Sequence, residues 1–233
     1  MRGRRIAAAA VLLLSMAAMA YAGIRLREMG RIYREGDATY ENIVDQVKNG
    51  PRNINFEALG TINGDVAAWL YCPDTAIDYP VMKADDYSYY LTHLPDGTEN
   101  ANGALFIDYN CAPDFSGQLT VVYGHLMKSG RMFGSLKGYK TQSYYDEHPT
   151  MYLYTPQESL RAELLFGCVI AAGQWRDRAF MYEQNLQGLL SYAARNTTFR
   201  SGAAYSEGDR VIALSTCSYE FDGARYVVIG VLK

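Results

Sequence analysis

Apolar and polar positions repeat in two different periods along this chain, and the change between them separates a helical N-terminal part from a longer β-rich part. Residues 6–24, IAAAAVLLLSMAAMAYAGI, carry no charge. Nineteen helical residues at about 1.5 Å each reach about 28 Å, which spans a hydrocarbon core. Beyond them, Tyr40, Ile43, Val44 and Val47 recur at helical spacing, with Asp37 placed to cap that helix and Gly50-Pro51 to end it. From Val66 the pattern shifts to short apolar runs between turn residues. These predict strands at Val66–Tyr71, Ala76–Met82, Ala104–Ile107, Gln118–Tyr123, Met151–Tyr154, Arg161–Ala172, Val211–Thr216 and Ala224–Leu232. The run from Arg161 is long enough to curl across a barrel. Short helical pieces are expected at Tyr87–Leu91 and Arg131–Tyr139. Met181, Leu186, Leu189, Leu190 and Ala193 predict a helix over Phe180–Asn196, inserted before the last two strands. The pattern as a whole predicts a mainly β fold with added helices, a barrel or a sandwich.

Composition narrows this little further. With 233 residues, 49% of them hydrophobic, the chain can bury one good core but not two large ones once its N-terminus is set aside. Twenty tyrosines and many β-branched residues suit strands. The net charge is −3 with both signs interspersed, so no basic stripe suggests nucleic acid. Arg2, Arg4 and Arg5 precede the apolar run and Arg25, Arg27, Arg31 and Arg34 follow it, which blunts the charge asymmetry that sets orientation. Ala20-Tyr21-Ala22 resembles a signal-peptidase site, but the length of the apolar run favours an uncleaved membrane anchor. On either reading the remainder is exported.

Candidate chemistry gathers at strand ends. Cys217 stops one strand, and Arg225 opens the next across a turn holding Phe221, Asp222 and Gly223. Adjacent antiparallel strands bring such residues within reach, and a fixed positive charge beside a thiol favours the thiolate. A strand-end cysteine is also what a small buried hydrophobe looks like. Against that plainer reading stands His125, which leaves the strand Leu119–Tyr123 through Gly124; a cysteine nucleophile needs such a base. His93 and His148 lie in turn-like segments and read as solvated surface residues. Among the other cysteines, Cys168 in LLFGCVIAA reads as a buried core thiol. Cys72 and Cys111 fall in turns, where a disulfide between them is one option. Neither C-x-x-C spacing nor paired histidines point to zinc.

These residues together resemble the sortases, membrane-anchored cysteine transpeptidases of Gram-positive bacteria. Ala213-Leu214-Ser215-Thr216-Cys217 resembles their T-L-x-T-C signature, with alanine where threonine is usual. RYVVIGVL from Arg225 is similar to the strand bearing the family's arginine. YGHLMKSGRMFGSLKGY resembles the histidine segment of class B members. WLYCPDTAIDYPVM, Tyr89–Leu91, GALFID and MYLYTP extend the similarity over essentially all of the exported part.

The resemblance implies a closed eight-stranded β-barrel with an N-terminal helical extension and the inserted helix. It divides the chain into a basic end and transmembrane anchor (1–27), a helical segment (28–60) and a catalytic barrel (61–233) outside the cell. It implies Cys217, His125 and Arg225 as catalytic, with Tyr123, Leu91, Ser215 and Thr216 lining a peptide groove; Asp86-Tyr87 stands where Asp-Asn is common. Its implied partners are surface proteins with a C-terminal sorting pentapeptide and an amine of peptidoglycan or its lipid-linked precursor. No cofactor or metal is implied. An L,D-transpeptidase is a second reading, but those enzymes carry glycine before the nucleophile, where this chain has Thr216. Papain-like proteases place cysteine before histidine, the reverse of this order. A third reading is a tethered peptide-binding barrel without turnover.

Overall fold

The computed structural model describes residues 2–50, 53–176 and 186–233, with side chains in the first segment from residue 9 onward. A long helix, α1 (Arg2–Val47), and a short one, α2 (Phe56–Ile62), lead into strands β1 (Val66–Tyr71), β2 (Asp78–Met82), β3 (Leu105–Ile107) and β4 (Leu119–Tyr123). After 3-10 turns at Tyr89–Leu91 and Phe133–Lys140 and the helix α3 (Gln142–Glu147) come β5 (Thr150–Tyr154) and the long β6 (Ser159–Ala171). The helices α4 (Ala172–Arg176) and α5 (Leu186–Asn196) precede β7 (Arg210–Cys217) and β8 (Ala224–Leu232). The strands close a barrel in the order β1-β2-β3-β4-β7-β8-β6-β5. β2–β3 and β4–β7 pair in parallel; the other pairs are antiparallel.

Side-chain alternation assigns the two faces of the wall. Ile212 and Leu214 of β7 and Tyr226 and Val228 of β8 fall into the barrel interior with Leu70, Val81 and Leu153. The intervening Val211, Ala213, Val227 and Ile229 pack outward against Leu186, Leu189, Leu190 and Ala193 of α5. Because α5 covers the outer face, β7 and β8 are buried at nearly every position rather than at every second one. The i, i+3, i+4, i+7 spacing on α5 places all four apolar residues on one stripe, and each buried leucine contributes about 2 kcal/mol.

Two differences from the sequence-based expectation concern the helices. The anchor and the helix expected from Asp37 are one continuous helix, and Asp37 is not its cap: its carboxylate pairs with Arg131 Nη1 at 3.0 Å. The helix runs through Gly30 and Gly36, supported by the arginines and glutamates around them, which are good helix formers. The helix stops at Val47, ahead of Gly50, whose φ is +109°; Pro51 lies outside the described residues. Of the helix expected over Phe180–Asn196, the part from Leu186 is observed, and 180–185 lie outside the described residues. The sequence reading omitted α2, which Asn55 caps by accepting from the Ala58 N–H at 3.0 Å, and also α3 and α4. Cys72 is buried beside Tyr139 Oη at 3.5 Å and forms no disulfide with Cys111. His148 is not solvated as expected, for its side chain is 10% exposed and its ring packs on Tyr144.

Among the described residues one helix, α1, is long and apolar enough to cross a membrane by length and composition. Its residues from Val11 to Met29 project away from the rest of the chain, with Leu14 71% exposed. The end of α1 is braced against the barrel by a polar cluster. Lys48 Nζ contacts both Asp78 oxygens at 2.6 Å, and Trp69 Nε1 donates to Asp78 Oδ1 at 2.6 Å. The Lys48 side chain is only 7% exposed. Asp78→Ala would strand that ammonium and the indole N–H together, so we expect a loss of about 2–3 kcal/mol in urea denaturation at constant m-value. A change below about 0.5 kcal/mol would mean the cluster does not brace the helix.

Candidate active site

Strand register brings the three sequence-predicted catalytic residues together. β7 and β8 are antiparallel with Cys217 opposite Arg225. β4 and β7 are parallel with Val122 opposite Leu214 and Tyr123 opposite Ser215. The same register carried two residues further sets His125 level with Cys217 on neighbouring strands, which lie about 4.8 Å apart. Two hydrogen bonds carry that pairing past the end of β4. Gly124 N donates to Ser215 O at 3.2 Å, and Thr216 Oγ1 donates to Gly124 O at 2.8 Å.

Alternation then decides which face the site occupies. Ser215, Cys217 and Arg225 share the outward parity of Ala213 and Val227, so the site lies on the outside of the wall beyond the part that α5 covers. Tyr87, Leu91, Tyr123, His125, Cys217 and Arg225 line one cleft there, of about 170 Å³, which Phe106, Gly124, Trp175, Ser215 and Thr216 complete. Every sequence-predicted site residue lines it. His93 and His148 do not; His93 stacks on Tyr89 with ring centroids 4.0 Å apart.

Each polar group in the cleft has a definite setting. His125 Nε2 lies 2.7 Å from the carbonyl oxygen of Leu91. A carbonyl only accepts, so Nε2 carries a hydrogen in this arrangement. Leu91 therefore contributes its backbone as well as its side chain. Gly103, at φ +60°, packs against the ring: a Cβ there would lie 3.0 Å from His125 Cδ2. Gly124 is equally confined, since a Cβ would come within 2.4 Å of Leu105 Cδ2 and 2.7 Å of Phe133 Cδ2. Arg225 Nη1 donates to Ala224 O at 3.1 Å. Among the described residues no carboxylate pairs with it, so its charge faces the cleft. Cys217 is exposed. Cys72 and Cys168 are not: burial raises the Cys72 thiol, against hydrogen bonds from Tyr139 and Thr75, and pushes Cys168 up to about 12.

Three features of the site escaped the sequence reading. The first is Trp175 of α4, 1% exposed, which closes one side. The second is Tyr87, and the third is the carboxylate behind it. Asp108, 1% exposed, accepts from Tyr123 Oη at 2.9 Å and Tyr87 Oη at 3.0 Å, so both phenol hydrogens are committed to it. Burial, then the Asp108 charge, raises both phenol pKa values. The signal was legible in hindsight: Asp108 follows the strand Leu105–Ile107 directly, an expensive place for a carboxylate without partners.

Beyond Cys217 a latch fixes the β7–β8 turn. Lys140 contacts Glu220 and donates to Ser218 Oγ at 2.9 Å, and Ser218 Oγ donates to Glu220 Oε2. Burial opposes ionisation of Glu220, but Lys140 and Ser218 outweigh it and hold its pKa at about 2.

The fold is that of the sortases. Among known proteins the chain is similar in sequence to sortase B of Listeria monocytogenes, 28% identical over 199 residues that cover 84% of this chain and 79% of that protein. Sortase B of Staphylococcus aureus is 25% identical over 177 residues, covering 75% and 72%. In structure, sortase B from B. anthracis in complex with AAEK1 superposes with a TM-score of 0.76 at 25% identity, covering 87% of this chain and 98% of that one. No family profile matches the chain. By sequence and fold it is thus a relative of the class B sortases.

Two expectations follow from the geometry. Thr216→Val removes the hydroxyl that ties β7 to Gly124 and should cost about 1–2 kcal/mol of unfolding free energy; an unchanged denaturation midpoint would show that bond to be dispensable. Glu220 has a folded-state pKa below its ordinary 4.5, so its latch stabilises the fold above about pH 4.5 and is lost as pH falls through about 2. Glu220→Gln should flatten that part of the acid-unfolding curve, and a curve identical to wild type would count against the latch.

Proposed function

We propose that this chain is a membrane-tethered cysteine transpeptidase of the sortase B type. The observation that carries this reading is one cleft lined jointly by an exposed Cys217, by His125 and by an Arg225 without a carboxylate partner among the described residues. A peptide backbone lying along the outer wall would meet Leu91 and the Tyr87–Tyr123 wall before reaching the sulfur. Ser215 and Thr216 lie beneath it, with the Thr216 hydroxyl committed to Gly124 O.

In the reaction proposed, the Cys217 thiolate attacks the carbonyl carbon of the threonine in a C-terminal sorting pentapeptide. The carbonyl π electrons move to oxygen, and Arg225 donates to the resulting oxyanion or to the adjacent substrate backbone. The C–N bond then breaks; the departing amine takes a proton from His125, and a thioester to Cys217 remains. An amine of the cell wall or its precursor attacks that thioester and gives its proton to His125. The thiolate leaves, and the surface protein stays amide-linked to the acceptor. The bidentate fork of arginine suits the oxyanion position better than a lysine point charge would.

Residues 1–27 would hold the enzyme in the membrane as a single span, with the barrel on the extracellular side. The L,D-transpeptidase alternative loses ground because a sheet residue with its hydroxyl bonded across to β4 precedes the nucleophile here.

The test is incubation of the protein with a sorting-peptide library and an amine acceptor, with mass spectrometry of trapped Cys217. Wild type should carry an acyl adduct. Cys217→Ala should form neither adduct nor product while keeping its melting temperature. His125→Ala should lose at least about 10²-fold in rate, and Arg225→Lys about 10²–10³-fold. Product from Cys217→Ala would refute the proposal, and a non-catalytic barrel would bind the peptide without any adduct in wild type.

A further inference from the structure

A second groove begins where the active-site cleft ends, and no role in the reading above uses it. Its walls are Leu126, Met127 and Lys128, which follow His125 in the chain, and Ser218, Tyr219 and Glu220, which follow Cys217. Lys137 and Lys140 complete it, enclosing about 410 Å³. No residue lines both cavities, and the chain passes from one lining to the other directly after His125 and directly after Cys217.

The charge in this groove is unbalanced. Lys140 is committed to Glu220 and Ser218. Lys128 and Lys137 are exposed, and among the described residues neither has a carboxylate within ion-pairing distance. The chain as a whole is net −3, so two uncompensated ammonium groups beside the nucleophile are not the overflow of a basic composition. An apolar surface accompanies them: Tyr219 is 76% and Phe221 48% exposed. The latch holds the Tyr219 backbone in place, so the groove has a fixed wall as well as charge.

Reaction geometry assigns this groove to one of the two substrates. Once the acyl group is on Cys217 its peptide occupies the cleft, and the leaving amine has departed on the other side of the new thioester. The incoming amine forms the same kind of bond in reverse, so it arrives along the path by which the first left. Leu126 and Ser218, next in the chain to His125 and Cys217, line the lysine groove, so it lies beside the reacting pair. We infer that this groove binds the acceptor, and that the acceptor is a peptide amine carrying carboxylates, which Lys128 and Lys137 pair with while its stem lies against Tyr219. Lysines on separate segments suit separate carboxylates; the planar arginine fork that favours a compact phosphate is missing among the described lining residues. This inference rests on the transpeptidase reading.

The experiment measures two rates in the same samples: thioester formation on Cys217 with a sorting peptide, and transfer to each of two amine probes. One probe is triglycine amide; the other is a peptide amine of similar length with two side-chain carboxylates. Wild type should prefer the carboxylate-bearing probe, and the preference should shrink with added salt. Lys128→Glu/Lys137→Glu should lower kcat/KM for that probe about tenfold, with thioester formation and transfer to triglycine amide unchanged. Lys128→Gln/Lys137→Gln should fall in between. Equal use of both probes by wild type, or equal slowing of both in the variant, would overturn the inference. Slower thioester formation in the variant would overturn it as well, by assigning the groove to the donor. Absence of any thioester in wild type would instead sink the transpeptidase reading, and the acceptor groove with it.

Discussion

The parallel pairing of β4 with β7 is the constraint on which the site depends. It joins segments far apart in sequence, and its register, Tyr123 opposite Ser215, decides that His125 leaves one strand where Cys217 ends the other. A slip of one residue would turn every side chain of β7 to the opposite face and put the sulfur into the barrel. The slip is blocked from both sides. Ile212 and Leu214 belong to the interior and Val211 and Ala213 to the layer under α5, so neither face of β7 can be exchanged for the other without burying gaps and clashes. The antiparallel β7–β8 pairing then delivers Arg225 by the same rule of register.

Around this wall several of the remaining elements support the side chains that line the cleft. The Asn100–Gly103 turn connects the long helix to the imidazole. Asn100 Nδ2 donates to Ile32 O at 2.9 Å, and Tyr40 Oη donates to Gly103 O at 2.8 Å. Gly36 of the helix sits so close to Asn102 that a Cβ would come within 2.2 Å of its amide nitrogen. Gly103 in turn packs on His125. On the far side Asp108 ties down two phenols that would otherwise offer donors to a substrate, so that the cleft meets a peptide with aromatic faces. Both supports come from the two ends of GALFID, Gly103 and Asp108, away from the strand that carries the cysteine.

How much of this the sequence disclosed follows from what each signal depends on. Strands with strict apolar runs, such as Val66–Tyr71 and Ala224–Leu232, were placed to the residue, because burial on both faces leaves no ambiguity. Cys217, His125 and Arg225 were legible because each stands at a strand end beside a turn, where side chains are presented rather than packed. The continuous α1 was not, since an apolar span followed by a charged stretch reads as two elements, and the contacts that Ile32, Gly36 and Asp37 make with distant loops leave no mark in the local pattern. Trp175 and Asp108 were missed for another reason. A tryptophan after a long strand and an aspartate after a short one acquire their roles only from residues brought close by barrel closure. The Leu91 carbonyl, as the partner of His125, belongs to the same class, for backbone acceptors leave no mark in a sequence.

The central claim is that register sets the Cys217 thiol outward at the cleft while burial silences Cys72 and Cys168. Treating the native protein with a small haloacetamide and mapping the modified peptides over time tests it directly. Cys217 should be alkylated at least about tenfold faster than Cys72 and Cys168, whose thiols are buried and shifted upward. Comparable rates at Cys217 and Cys168, or an inert Cys217 in the folded protein, would contradict the account.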